Sequence, residues 1–257
     1  MRRILILFFC LPILCSAQTN LTLSASKDAA IREYNGIGDG NNYGTVPFLN
    51  IQAWTNGGIT ANQRSLIDFD LSMIPANASI QSAFLFLYVD MTVNTFPGGH
   101  QQLSGSNESI IERVIANWNE LLVTWNNQPG TTTLNQTTIP QSTASNQDYI
   151  IDVTNLVQDM INDTINSFGF YMKLINENYY RRMIFASKDN PDPELHPRLH
   201  VTYLPDSTST NIDEINKWEK NLLKITNIIG KETPHKKNTI LFYNYDDGTV
   251  EKRIIIE

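Results

Sequence analysis

Cysteine is nearly absent from this chain of 257 residues: Cys10 and Cys15 are the only two. Beyond residue 17 there is none, which excludes disulfides, a thiol nucleophile and a thiolate metal site from that part of the chain. Basic residues are also scarce. Without residues 1–17 the chain carries 17 basic and 26 acidic side chains, net −9, and Thr19 to Thr210 alone carries 9 and 18, again −9. No Lys/Arg cluster offsets phosphate charge, so a nucleic-acid partner is not expected. No apolar run reaches the roughly 20 residues of a membrane-spanning helix. The four histidines lack metal spacing, and His196 and His200 straddle Pro197. No nucleophile motif or phosphate-binding loop occurs, and no enzymatic activity is expected.

What is present begins with a short export pattern. Arg2 and Arg3 precede the apolar stretch Ile4–Leu14, and Cys15-Ser16-Ala17 supplies small residues before Gln18. This predicts a secretory signal over 1–17. From Thr19 the chain reads as short β-rich runs between Gly, Asn and Pro loops, the pattern of an all-β sandwich. In Arg64–Leu71, alternation places Ser65, Ile67, Phe69 and Leu71 on one face and Arg64, Leu66, Asp68 and Asp70 on the other. In Ile80–Asp90, the core side is Ala83, Leu85, Leu87 and Val89. One short helix is predicted, capped by Thr154, with Leu156, Val157, Met160 and Ile161 as its apolar stripe. The segment Gln128–Gln147 reads as an exposed, polar Asn/Thr-rich loop. Residues 205–220 read as a linker.

The C-terminal residues form a hairpin pattern: an apolar strand ending at Tyr245, a turn at Asp247-Gly248, and a strand to Ile254-Ile255-Ile256-Glu257. Together with Leu222–Gly230, the run from Tyr245 to Glu257 resembles the C-terminal sorting domain of proteins exported by the type IX secretion system of Bacteroidetes. The resemblance covers 221–257. It implies a small C-terminal β-sandwich, a secreted or cell-surface location, and the secretion machinery as a partner. Asp246, Asp247, Gly248, Ile254 and Ile256 are assigned to sorting.

Across residues 18–204 a second resemblance runs through Lys27-Asp28-Ala-Ala-Ile-Arg32, Asn41-Asn-Tyr-Gly44 and Arg64–Pro75. It continues through Trp118-Asn-Glu120, Val123-Thr-Trp-Asn-Asn-Gln-Pro129, Asp152–Val157 and Pro197–Tyr203. In this order the motifs are similar to the DNRLRE domain, a family overlapping carbohydrate-binding modules. The resemblance implies a jelly-roll β-sandwich and, for some members, binding of acidic polysaccharides such as alginate. The reading is a non-catalytic binder of an extracellular polysaccharide, uronate-containing or neutral. The alternative is a structural or adhesive protein of the cell surface or matrix.

Candidate contacts follow from chemistry. A guanidinium pairs bidentately with a uronate carboxylate. Arg64 is the first candidate, the alternative being an ion pair with Asp68 or Asp70. Lys27, Arg32, Arg181 and Arg182 are further candidates for a local basic groove. Phe84, Phe86 and Tyr88 share one strand face, as do Tyr171 and Lys173. Tyr88, Tyr171 and Lys173 converge if their strands are neighbours. Trp118 and Trp125 are expected to hold a long loop on the sandwich. Oxygen-rich Asp189-Asn-Pro-Asp-Pro-Glu194 offers Asp189, Asp192 and Glu194 to a structural Ca²⁺, the alternative being a solvated turn; Asp39–Asn42 is a second such stretch.

Overall fold

The computed structural model describes residues 18–38, 40–91, 98–205, 221–246 and 248–254. The expected signal, Asp39, most of the linker, Asp247 and Ile256 lie outside them. The chain divides into two compact units, at Asp206/Ser207.

The first unit opens with β1 (Thr19–Tyr34), β2 (Ile37–Gly38), β3 (Phe48–Ala53), β4 (Thr55–Asn56), β5 (Ile59–Thr60), β6 (Gln63–Phe69) and β7 (Ser79–Leu87). It continues with β8 (Gln101–Gln102), β9 (Ser109–Val114), β10 (Thr131–Ile139), β11 (Tyr149–Asp152) and α1 (Thr154–Asn162). It closes with β12 (Phe170–Leu174), β13 (Arg181–Ala186) and β14 (Arg198–Leu204).

The fold is an all-β sandwich, and β1 belongs to both of its layers. Thr19–Ser24 pairs with β14, while Ala25–Arg32 pairs with β6 after a register shift between Ala25 and Lys27. Thr19–Tyr34 is thus one strand bent by a bulge. One layer runs β1–β14–β7–β11. The other runs β10–β9–β12–β6–β1, with a branch: β12 pairs with Ser65–Ile67 of β6, and β3 pairs with Gln63 and carries β13 and β8.

The core lies between the layers. Ala83, Leu85 and Leu87 meet Ile67, Phe69, Phe170, Met172, Ile51 and Phe185 there. The alternation expected for both strands therefore holds. Each buried Leu or Phe contributes on the order of 2 kcal/mol. Helix α1 buries Leu156, Val157, Met160 and Ile161. Its N-cap is Val153, not Thr154. Thr154 is drawn into the helix because its backbone N–H and hydroxyl both donate to Asp152 Oδ1, at 2.9 and 2.6 Å.

The second unit is a three-stranded sheet of β15 (Leu222–Thr226), β16 (Leu241–Tyr245) and β17 (Val250–Arg253). The hairpin is as read: Gly248 N donates to Tyr245 O, and Gly248 has φ +81°. The described residues form one sheet, not the expected small sandwich, because only Thr226, Leu241 and Tyr243 are buried. Asp246 accepts from Asn221 N and Nδ2, and Ile254 is exposed.

Candidate functional site

The larger layer presents two surfaces rich in aromatic and charged side chains, and electrostatics separates them. On the first, the loop 115–130 lies over Ala29, Ile31, Leu66 and Tyr171, with Trp118 and Trp125 packed on that cluster. Lys27 Nζ sits 4.3 Å from the Trp118 ring, donates to Trp118 O and pairs with Asp68 at 3.4 Å. Lys173 pairs with Glu112 at 2.8 Å. The two tryptophans thus hold the loop down, as expected.

Arg64 does not pair with Asp68 or Asp70. Its Nε and Nη2 donate to the two oxygens of Glu177, at 2.7 and 2.8 Å. Nη1 donates to Tyr171 Oη at 2.8 Å, and the guanidinium lies 4.4 Å from the Trp125 ring. Lys27 occupies Asp68 instead. Tyr171 is buried, and burial pushes its hydroxyl up to about 12. Arg64→Ala is expected to lower stability by about 2 kcal/mol, between an exposed and a buried ion pair, and to loosen the Trp125 loop. Thermal melts and tryptophan fluorescence check this.

Tyr88 does not join Tyr171 and Lys173. It directly follows β7, whose neighbours are β14 and β11, in the opposite layer from β12. The outer face of β7 carries Phe84, 37% exposed, and Phe86, whose ring centroid lies 4.2 Å from that of His200.

The second surface lies on the β3–β13 branch. In β3, Leu49, Ile51 and Ala53 enter the core, so alternation turns Phe48, Asn50 and Gln52 the other way. Opposite Gln52 in register stands Arg182. These side chains, with Arg32 of β1, Tyr43, Trp54 and Gln63, line a cleft of about 280 Å³.

Arg182 is 3% exposed. Its Nε and Nη2 both donate to the carbonyl of Gly99, at 3.1 and 2.9 Å. Of the nine basic side chains between Thr19 and Thr210, Lys27, Arg64, Arg113, Lys173, Lys188 and Arg198 pair with carboxylates. Arg182 has no carboxylate partner among the described residues, and burial alone pulls its guanidinium down to about 10. It stays charged at neutral pH without a counter-charge. Beside it, Asn50 is 4% exposed, and its Oδ1 accepts no hydrogen bond. Buried polar groups are normally satisfied, so both are exceptions among the described residues.

An aromatic surface flanks this cleft. Trp54 meets Tyr180 edge-on at 5.3 Å, and Tyr180 meets Tyr179 at 6.3 Å. Tyr180 has φ +67°, a strained value for an aromatic residue. Its N–H donates to Ala53 O at 2.8 Å and its hydroxyl is 3.4 Å from Thr55 Oγ1. Arg32 stacks 4.7 Å from the Tyr43 ring. The sequence signal for Asn50, Gln52 and Trp54 was their alternation with Leu49, Ile51 and Ala53. Arg182 was visible only as one basic residue among several, and Tyr43 only as part of a motif.

The loop Asp189–Glu194 does not gather cation ligands. Asp192 Oδ1 accepts from Glu194 N, and Glu194 pairs with Arg198 at 3.2 Å. Asp189 instead lies with Asp28 and Glu120, their carboxylate oxygens within 4.8 Å of one another. That trio does not fit a metal ion, because Lys188 Nζ pairs with Glu120 and Asp189 at 3.1 and 3.2 Å and supplies the positive charge. In the other oxygen-rich stretch, Asn42 Nδ2 donates to the carbonyls of Glu120 and Val123.

Burial pushes Asp28 up to about 7, against 3.8 for a free carboxyl, despite the Lys188 N–H it accepts. The folded protein therefore holds a proton that the unfolded chain releases between these values. Asp28 costs stability increasingly from about pH 4 to about pH 7, and by a constant amount above. Asp28→Asn is expected to be more stable than the wild type at pH 8, by on the order of a few kcal/mol, and to lose that advantage near pH 4. Denaturant titrations at the two pH values measure the difference; His100, whose pKa burial lowers, is common to both proteins.

The sequence pattern of carbohydrate-binding module family 96 matches residues 19–203, most of the chain, and the chain belongs to that family. No curated protein matches the chain.

Proposed function

We propose that this member of carbohydrate-binding module family 96 binds an acidic, uronate-containing polysaccharide without cleaving it, in the cleft around Arg182. The observation that carries this reading is the buried Arg182 guanidinium without a carboxylate partner. A uronate carboxylate would supply the missing charge. Asn50 Oδ1 would accept a sugar hydroxyl, and Trp54 with Tyr180 offers ring faces and edges for stacking. Arg32, a further candidate for a local basic groove, lines the same cleft. Arg64, Lys27 and Lys173 are engaged by the protein's own acids, and Lys27 and Arg64 contribute by holding the Trp118–Trp125 loop. Calorimetry of the full chain with hexauronates and with neutral hexaoses tests the proposal. Binding of a hexauronate that weakens with salt supports it. Salt-independent binding of neutral sugars alone, or release of unsaturated or reducing products, would refute it.

We further propose that residues 1–17 direct export and that 221–257 direct sorting through the type IX system. The support is the charge-and-apolar pattern of the first and the Tyr245–Glu257 motif of the second. Truncation after Asp206 is expected to leave folded protein in the periplasm; normal release of the truncated chain would contradict the assignment.

A further inference from the structure

The sandwich carries another groove, built from elements that the Arg182 cleft does not use. The segment read as a loop is an edge strand, β10, whose register against β9 breaks between Thr132 and Thr137. Within that irregularity Asn135 has φ +55°, and its Nδ2 donates to Asp159 of α1 at 2.8 Å. A bulge at a sheet edge re-aims side chains. Here it sets Asn135 and Gln136 across from the outer face of β7. There Phe84 stands opposite Asp152 of β11. The groove between them has a volume of about 650 Å³.

Its chemistry differs from that of the cleft. Phe84 is a partly exposed ring at its wall. The exposed amides of Gln136 and Asn155 make no protein hydrogen bond among the described residues, and Thr137 adds a hydroxyl. Among the described residues no Lys or Arg lines the groove, and the one charged group is the exposed carboxylate of Asp152. An anionic chain would be repelled. A ring face beside open amides and a carboxylate is suited to a neutral, hydroxyl-rich sugar, which stacks its C–H face and donates and accepts at its rim.

The geometry points to a second carbohydrate site in this groove, for a neutral oligosaccharide, separate from the acidic-glycan cleft. This rests on the carbohydrate-binding reading of the module but not on Arg182. Among the described residues the two grooves share no lining residue, so both can be occupied together and the module would bridge an acidic and a neutral chain.

The test is calorimetry and ¹⁵N–¹H NMR of the full-length protein with cellohexaose, xylohexaose and laminarihexaose, for the wild type, Phe84→Ala, Gln136→Ala and Arg182→Gln. At least one hexaose is expected to bind the wild type, to shift the amides of Phe84, Gln136 and Asn155, and to lose tenfold or more in affinity in Phe84→Ala. Gln136→Ala, on an exposed side chain that cannot disturb the core, is expected to lose severalfold. Arg182→Gln is expected to leave neutral binding unchanged, and saturation with a hexauronate to leave it available. The proposal is overturned if none of the three binds, if Phe84→Ala and Gln136→Ala both bind as the wild type does, or if Arg182→Gln abolishes neutral binding. Failure of hexauronate binding alone would sink the cleft assignment and leave this site standing.

Discussion

Arg182→Gln is expected to weaken hexauronate binding about thirtyfold while leaving the melting temperature unchanged or raised. The loss follows from one charge-assisted contact, worth about 2 kcal/mol, at 1.4 kcal/mol per tenfold. The stability follows from burial: the guanidinium is 3% exposed with no carboxylate partner among the described residues, so its charge costs desolvation in the free protein. A glutamine amide can still donate toward Gly99 O without that cost. Calorimetry and thermal melts on the same samples separate the two effects. A lower melting temperature with unchanged affinity would make Arg182 a structural residue. Arg64→Ala has the opposite expected signature, with lost stability and retained binding, because its guanidinium is fully engaged by Glu177 and Tyr171.

Gly99→Ala is expected to impair both properties together. Gly99 has φ +68°, and a Cβ there would collide with the backbone carbonyl of Ser145. The same Ser145 oxygen accepts the N–H of His100 at 2.8 Å, and His100 Nδ1 accepts from Ile184 N of β13 at 3.2 Å. The backbone at Gly99 therefore cannot shift without disturbing the edge of β13. The left-handed conformation costs a residue with a Cβ roughly 1–2 kcal/mol before any collision, and the total is expected near 3 kcal/mol. Because Gly99 O is the acceptor that positions Arg182, hexauronate affinity should fall as well. Denaturant unfolding and calorimetry would show it. A variant with wild-type stability would mean that the 99–100 segment yields freely.

The strands that read well in the sequence are those whose two sides meet different surroundings. Ala83/Leu85/Leu87 alternate with polar or partly exposed partners, and Ser65/Ile67/Phe69 with Arg64, Leu66 and Asp68, of which Leu66 is buried separately beneath the Trp118–Trp125 loop; the core lies where that alternation puts it. Helix α1 was legible from its four apolar positions; its N-cap, Val153, was not, because it carries no side-chain capping group and only the contact of Thr154 with Asp152 draws Thr154 into the helix. Strand β10 escaped notice since Thr131–Ile139 is an edge strand with polar residues on both sides. It forms because β9 offers a free edge, which is a property of the neighbour.

Composition and local pattern by themselves determined that the chain beyond residue 17 is disulfide-free, that the main unit is an all-β sandwich, and that its charge is strongly acidic. They also carried the motifs that mark it as carbohydrate-binding. Which cations pair with the protein's own carboxylates was decided only by tertiary structure. Arg64 and Arg182 have the same chemistry, and both begin as candidates. Arg64 meets Glu177, 113 positions away, whereas Arg182 meets a backbone carbonyl and an open cleft. Pairing of charges depends on distances across the folded chain, and no spacing along the sequence encodes them.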